Sequence, residues 1–140
     1  MTIKDDRLAL GMTQDELADI LGVSLYRLKR WEGDHPATVD GPSRVVLRMM
    51  EWLKAGWRPP ADAATRTIDN VAAVRQRLGL SQAGLGRVLN QTSRAVRYWE
   101  NEGRELDSTT ERALVWIAHC GFRPKDFNAG VDRRYKAESA

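Results

Sequence analysis

Side chains able to do covalent or metal chemistry are scarce in this chain. One cysteine, Cys120, and two histidines, His35 and His119, are too few for a zinc site of Cys and His ligands, and a lone cysteine excludes an internal disulfide framework. No nucleophile, base and acid stand together in a motif, and no glycine-rich phosphate loop follows a strand. Catalysis, a metal and a cofactor are therefore not expected, and the residues offer no evident small-molecule site. Cys120 beside His119 reads as one buried thiol and one surface imidazole. What remains is the chemistry of charge. Twenty-two Lys and Arg stand against 19 Asp and Glu, and the pI is about 9.3. The excess is uneven: residues 1–64 hold 9 basic and 10 acidic side chains, whereas residues 65–140 hold 13 and 9. A cation-rich second half suits a polyanionic partner.

The elements that must position these charges come twice. Residues 7–32 align with residues 75–100 at an offset of 68, with eight of 26 positions identical; ordinary composition gives roughly two. The identities are Arg7/Arg75, Leu10/Leu78, Gly11/Gly79, Gln14/Gln82, Leu17/Leu85, Leu21/Leu89, Trp31/Trp99 and Glu32/Glu100. A second match, Gly56-Trp57-Arg58-Pro59 against Gly121-Phe122-Arg123-Pro124, has an offset of 65, which places three extra residues in the first repeat's loop around His35 to Pro42. The chain divides into a first unit, 1–58, a linker, 59–67, a second unit, 68–127, and a basic tail, 128–140. The linker reads as stiff at Pro59-Pro60 and open beyond. In the tail, Asp132 to Lys136 reads either as a basic arm or as a disordered terminus.

Each unit reads as consecutive short helices. Thr13 and Glu16 form a capping box before a helix that turns Leu17, Ile20 and Leu21 to one face. Ser81 caps the counterpart over Leu85, Val88 and Leu89, a helix weakened by Gly84 and Gly86 at about 1 kcal/mol each relative to Ala. Gly22 and Asn90, the residues most tolerant of a left-handed backbone, end these helices in a tight turn. Ser24 and Thr92 cap the next helix. With Leu28 and Trp31, or Val96 and Trp99, facing inward, helical geometry turns Leu25, Tyr26, Lys29 and Arg30 outward in one repeat and Ser93, Arg94, Arg97 and Tyr98 in the other. A last helix spans Ser43 to Ala55 and Ser108 to Cys120. Gly56 and Gly121 follow it, with Trp57 and Phe122 placed to fold back on Trp52 and Ile117. The five tryptophans at helical spacing read as core. No segment alternates long enough to be a strand, so the chain is all-α. No run of 18 apolar residues exists to span a membrane, and Met1 to Asp6 lacks a signal peptide's apolar stretch, which implies a cytoplasmic protein.

The stretch Gly-Met-Thr-Gln-Asp-Glu-Leu-Ala-Asp-Ile-Leu-Gly-Val-Ser from Gly11 to Ser24, followed by Leu28 and Trp31-Glu32, resembles the Xre/Cro-like helix-turn-helix family of phage and bacterial repressors. Gly79 to Thr92, followed by Val96 and Trp99-Glu100, resembles the same pattern. The resemblance implies a tandem duplication of a four- to five-helix, lambda-repressor-like domain. It implies a sequence-specific transcriptional regulator, a repressor of phage or mobile-element type that can control its own gene. The partner it implies is a double-stranded DNA operator. Leu25, Tyr26, Lys29 and Arg30, and Ser93, Arg94, Arg97 and Tyr98, would then meet DNA from the major groove. Gln14 and Gln82 would meet the phosphate backbone at a helix N-terminus.

Residues 13–32 hold three cations and four acids, and residues 81–100 three and one. The second repeat should therefore dominate affinity, with Asp15, Glu16 and Asp19 opposing phosphate in the first. Homodimerisation stays open. Two rival readings stand beside this one. An antitoxin or adaptor would bind a protein partner first and DNA second. An RNA-binding regulator would use the same basic surface but lacks the aromatic sheet or glycine loop usual for RNA.

Overall fold

The computed structural model describes residues 2–34, 41–101, 105–125 and 127 of the chain, and all regular structure among them is helical. Where helices begin follows from single side chains. Thr2 caps α1 (Ile3–Ala9), Thr13 caps α2 (Gln14–Leu21), Ser24 caps α3 (Leu25–Lys29) and Ser43 caps α4 (Arg44–Lys54). Asn70 then caps α5 (Val71–Arg77), Ser81 caps α6 (Gln82–Val88) and Thr92 caps α7 (Ser93–Glu100). In each case the side-chain oxygen accepts from the backbone N–H three residues on. That bond satisfies a donor the helix leaves unpaired and contributes about 1 kcal/mol. Asp107 stands at the start of α8 (Ser108–His119). The expected capping box of Thr13 and Glu16 forms, and Thr2 and Asp5 form another. Beyond α3 the chain continues through one wide π-type turn, Arg30–Asp34, with Gly33 at φ 101°.

The turns after α2 and α6 use a left-handed residue, Gly22 at φ 75° and Asn90 at φ 61°. Gly86 inside α6 has a reason that propensity does not reveal. The Gln91 N–H reaches its carbonyl at 2.6 Å, and a Cβ on residue 86 would lie 2.6 Å from the Gln91 carbonyl oxygen. The equivalent residue Ala18 accepts from Val23 at 3.0 Å, a looser turn that leaves room for a methyl group. Leu17, Leu21 and Leu28 are fully buried in the first repeat, and Leu85, Leu89 and Val96 match them in the second.

Three expectations need correction. The linker beyond Pro60 is not open: Ala61–Thr65 forms a 3-10 turn that packs on α8, with Ala63 buried and the Thr65 hydroxyl donating to the Asp62 carbonyl. Backbone bonds from Ala63 to Pro60 and from Arg66 to Ala63, with an Arg66–Asp62 ion pair at 3.2 Å, close this short segment. Second, the bodies of α4 and α8 correspond at an offset of 64 and not 65. That register pairs the cap positions Ser43 and Asp107, the half-buried Arg48 and Arg112, and the buried Trp52 and Trp116. The first repeat's loop is therefore longer by four residues and not three. The missing residue reappears at the end of α8, where a wide last turn carries the Cys120 N–H to the Val115 carbonyl. α4 closes one residue shorter, with Ala55 donating to Glu51 and Trp57 to Trp52, where Phe122 reaches back to Trp116. Third, the expected closure forms at α4, where Gly56 donates to Leu53 and Trp57 to Trp52 as in a Schellman motif, but at α8 the Phe122 N–H passes Ile117 to reach the Trp116 carbonyl, and the rings of both ends also meet across the repeats. Trp57 stacks on Phe122 at 4.4 Å, and Phe122 meets Trp52 edge-on at 5.1 Å. The loop around His35 and the tail 128–140 lie outside the described residues.

Candidate nucleic-acid interface

Two residues of opposite charge, 25 apart in sequence, set the geometry of each repeat. Arg7 on α1 donates from Nε to Glu32 Oε2 at 2.7 Å and from Nη2 to Oε1 at 3.0 Å, while its Nη1 holds the Met12 carbonyl. The Gln14 amide, in the first turn of α2, donates to the same Glu32 Oε1 at 3.0 Å. The second repeat builds the same clamp: Arg75 to Glu100 at 2.6 and 3.3 Å, Arg75 to the Leu80 carbonyl, and Gln82 to Glu100 at 3.1 Å. A bidentate guanidinium–carboxylate pair fixes direction as well as distance. The clamp thus ties the end of the α3 or α7 segment to the start of the helix before it. Burial works against the Glu32 charge, but the hydrogen bonds from Arg7 and Gln14 and the Arg7 charge outweigh it and hold the carboxyl below its ordinary range. The same hydrogen bond to Glu32 raises Arg7 against the effect of burial.

Sequence reasoning placed Gln14 and Gln82 on a phosphate strand and overlooked the clamp. Each amide donates inward, with a second N–H and a carbonyl oxygen beyond that bond. The signal was present, since Arg7/Arg75, Gln14/Gln82 and Glu32/Glu100 are three of the eight identities between the repeats.

On the outer side of the clamp, α3 and α7 carry the remaining candidates. Tyr26 and Tyr98 are 63% and 50% exposed, large values for aromatic side chains. Lys29, Arg94 and Arg97 are exposed, and Leu25, Arg30 and Ser93 are half-buried. Arg30 lies over the Tyr26 ring at 5.7 Å, and Arg27 over the Trp31 ring at 5.3 Å. Stacking holds a guanidinium by its face while its N–H edge points away. The repeats place the same types in exchanged order: Tyr26 corresponds to Arg94, and Arg30 to Tyr98.

Outside the clamp pair, the α2–α3 segment contains Arg27, Lys29 and Arg30 with Asp15, Glu16 and Asp19. Outside its clamp pair, the α6–α7 segment contains Arg87, Arg94 and Arg97 and no acidic residue. Asp15, Glu16 and Asp19 are exposed, and with Val23 and Leu25 they line a shallow groove.

Among the described residues no group of three or more His, Cys, Asp or Glu is placed to hold a metal ion, and no helix is long and apolar enough to cross a membrane. Burial, with Asp62 nearby, raises the Cys120 thiol above its ordinary value. Comparison of the chain with family models, with curated proteins and with solved structures gives no match.

Proposed function

We propose that this chain is a sequence-specific DNA-binding regulator, a cytoplasmic repressor built as a tandem duplication of an Xre/Cro-like helix-turn-helix domain. One observation carries the reading. A short helix with one tyrosine and two cations on its outer face is presented twice, each time after a left-handed turn and locked by the same Arg–Glu–Gln clamp. Rigid presentation of a few polar side chains is what base readout needs, because a bidentate contact tolerates little misplacement. Arginines 94 and 97 suit guanine edges or phosphates, Tyr26, Tyr98 and Ser93 suit phosphates or single base contacts, and Leu25 suits a thymine methyl. Lys29 and Arg30 add counterion release. Repression follows by occluding a promoter.

The test is binding of the purified protein to the DNA upstream of its own gene, at two salt concentrations with excess nonspecific competitor. Competitor-resistant binding, weakened by salt and reduced roughly tenfold to a hundredfold by Arg94→Ala, is the expected result. Binding that vanishes under competitor on this fragment and in a random-sequence selection overturns the reading. The acid-lined groove of Asp15, Glu16 and Asp19 beside Leu25 favours a second role, in which the first repeat receives a basic protein partner. Loss of a pulled-down partner on Asp15→Lys, with DNA binding kept, would mark that role.

A further inference from the structure

The contacts between the two repeats are self-complementary. Trp52 and Trp116 occupy equivalent positions and touch each other, with ring centres 6.2 Å apart. Trp57 and Phe122 are also equivalent, and they stack at 4.4 Å. The crossed pairs, Trp52 with Phe122 at 5.1 Å and Trp57 with Trp116 at 6.3 Å, are one contact made twice. The same reciprocity holds away from the rings. Arg48 on α4 donates to the Arg87 carbonyl near the end of α6 at 3.1 Å, and Arg112 on α8 donates to the Asp19 carbonyl near the end of α2 at 2.6 Å. Residues 19 and 87 correspond, as do 48 and 112. Asn90 donates to the Arg44 carbonyl at 3.5 Å; its equivalent, Gly22, lies so near the Ser108 carbonyl that a Cβ would be 3.2 Å from it.

A contact in which one residue meets a second, while their equivalents meet in the reverse sense, is the signature of a two-fold axis. Two units stacked head to tail along the chain would juxtapose different surfaces and produce no such pairs. The relation is also firmly held, since Trp116 is fully buried and Trp52 nearly so.

We infer that one molecule of this chain is a complete two-headed reader, spanning a single operator made of two inverted, non-identical half-sites. The inference rests on the reading of α3 and α7 as base-contacting helices. With that axis perpendicular to the duplex, the rotation that carries α3 onto α7 also carries one half-site onto the other strand, so the sequences they read run in opposite senses. The half-sites differ because all four outward positions differ: Leu25 against Ser93, Tyr26 against Arg94, Lys29 against Arg97 and Arg30 against Tyr98. No second chain is needed, since the apolar faces of α4 and α8 already meet within one molecule.

The test selects duplexes from a random-sequence library with the full chain and weighs the resulting complex. Expected are two different half-sites in inverted orientation at fixed spacing, with one chain per duplex. Five base pairs inserted between them turn one half-site by about half a helical turn and lower affinity about a hundredfold or more. The variant Leu25→Ser, Tyr26→Arg, Lys29→Arg, Arg30→Tyr gives α3 the outward residues of α7 and makes the selected operator palindromic. Tyr26→Arg alone, at a well-exposed position, shifts one half-site only and serves should the fourfold variant not fold. A direct repeat, a lone half-site, or two chains on one duplex overturns this inference and leaves DNA binding standing. A library with no enriched sequence overturns both.

Discussion

Glu32 accepts two bonds from Arg7 and one from Gln14, and its side chain is 1% exposed. Removing the carboxylate alone strands a buried guanidinium, so Glu32→Ala should lower stability by about 3–5 kcal/mol in denaturant unfolding. Arg7→Met combined with Glu32→Leu should cost much less than that, because the pair leaves together. The pH dependence follows from the lowered Glu32 value. The unfolded chain binds the proton near 4.5 and the native chain only below it, so the stabilisation is whole above 4.5 and is lost as pH falls through the native value. The wild type's advantage over Glu32→Gln should be level from pH 7 to about 5 and shrink below 4.5. On the outer face, the acids of the α2–α3 segment, which α6–α7 lacks outside its clamp, make Arg94→Glu the more damaging reversal for DNA affinity. A titration in which Arg30→Glu loses as much would remove the asymmetry between repeats.

Among the helices, α6 shows best what sequence can and cannot say. Its cap, its buried face and its left-handed end were legible because each depends on one residue and its near neighbours. The role of Gly86 was not, because the atom that excludes a methyl group belongs to the backbone of the following turn. Gly86→Ala should therefore lower stability by about 1–3 kcal/mol through overpacking, although Ala is the better helix former. Ala18→Gly should cost about 1–2 kcal/mol, the propensity difference plus the loss of one buried methyl group. Calorimetric unfolding of both separates the two causes. The register of α4 against α8 escaped for a similar reason. The matching tetrapeptides lie downstream of the wide turn at Cys120, and a hydrogen bond to residue i−5 leaves no trace in residue types.

For the whole molecule, spacing marked the tryptophans as inward-facing without saying whose interior they enter. Periodicity describes one helix at a time, whereas the four rings belong to both repeats at once. Trp116→Ala should therefore destabilise the two repeats together, by about 3–5 kcal/mol, and leave a single unfolding transition at lower temperature. Two separated transitions, one unmoved by the substitution, would show that the repeats fold independently. The clamps, by contrast, were readable in principle: identities that unite opposite charges at one spacing in both repeats point to a pair, as Arg7 with Glu32 and Arg75 with Glu100 turn out to be.

The stacked rings of Trp57 and Phe122 also bear on how such a molecule can change. In a symmetric homodimer a substitution at the axis arrives on both sides at once, so a larger ring must make room for itself. Here the two sides are separate codons. An indole can face a phenyl ring, a glycine at position 22 can answer an asparagine at position 90, and each half can drift while the other keeps the fit. Covalent continuity thus doubles the number of independent positions at the junction, and leaves each outward helix able to acquire its own preference without a compromise shared by its twin.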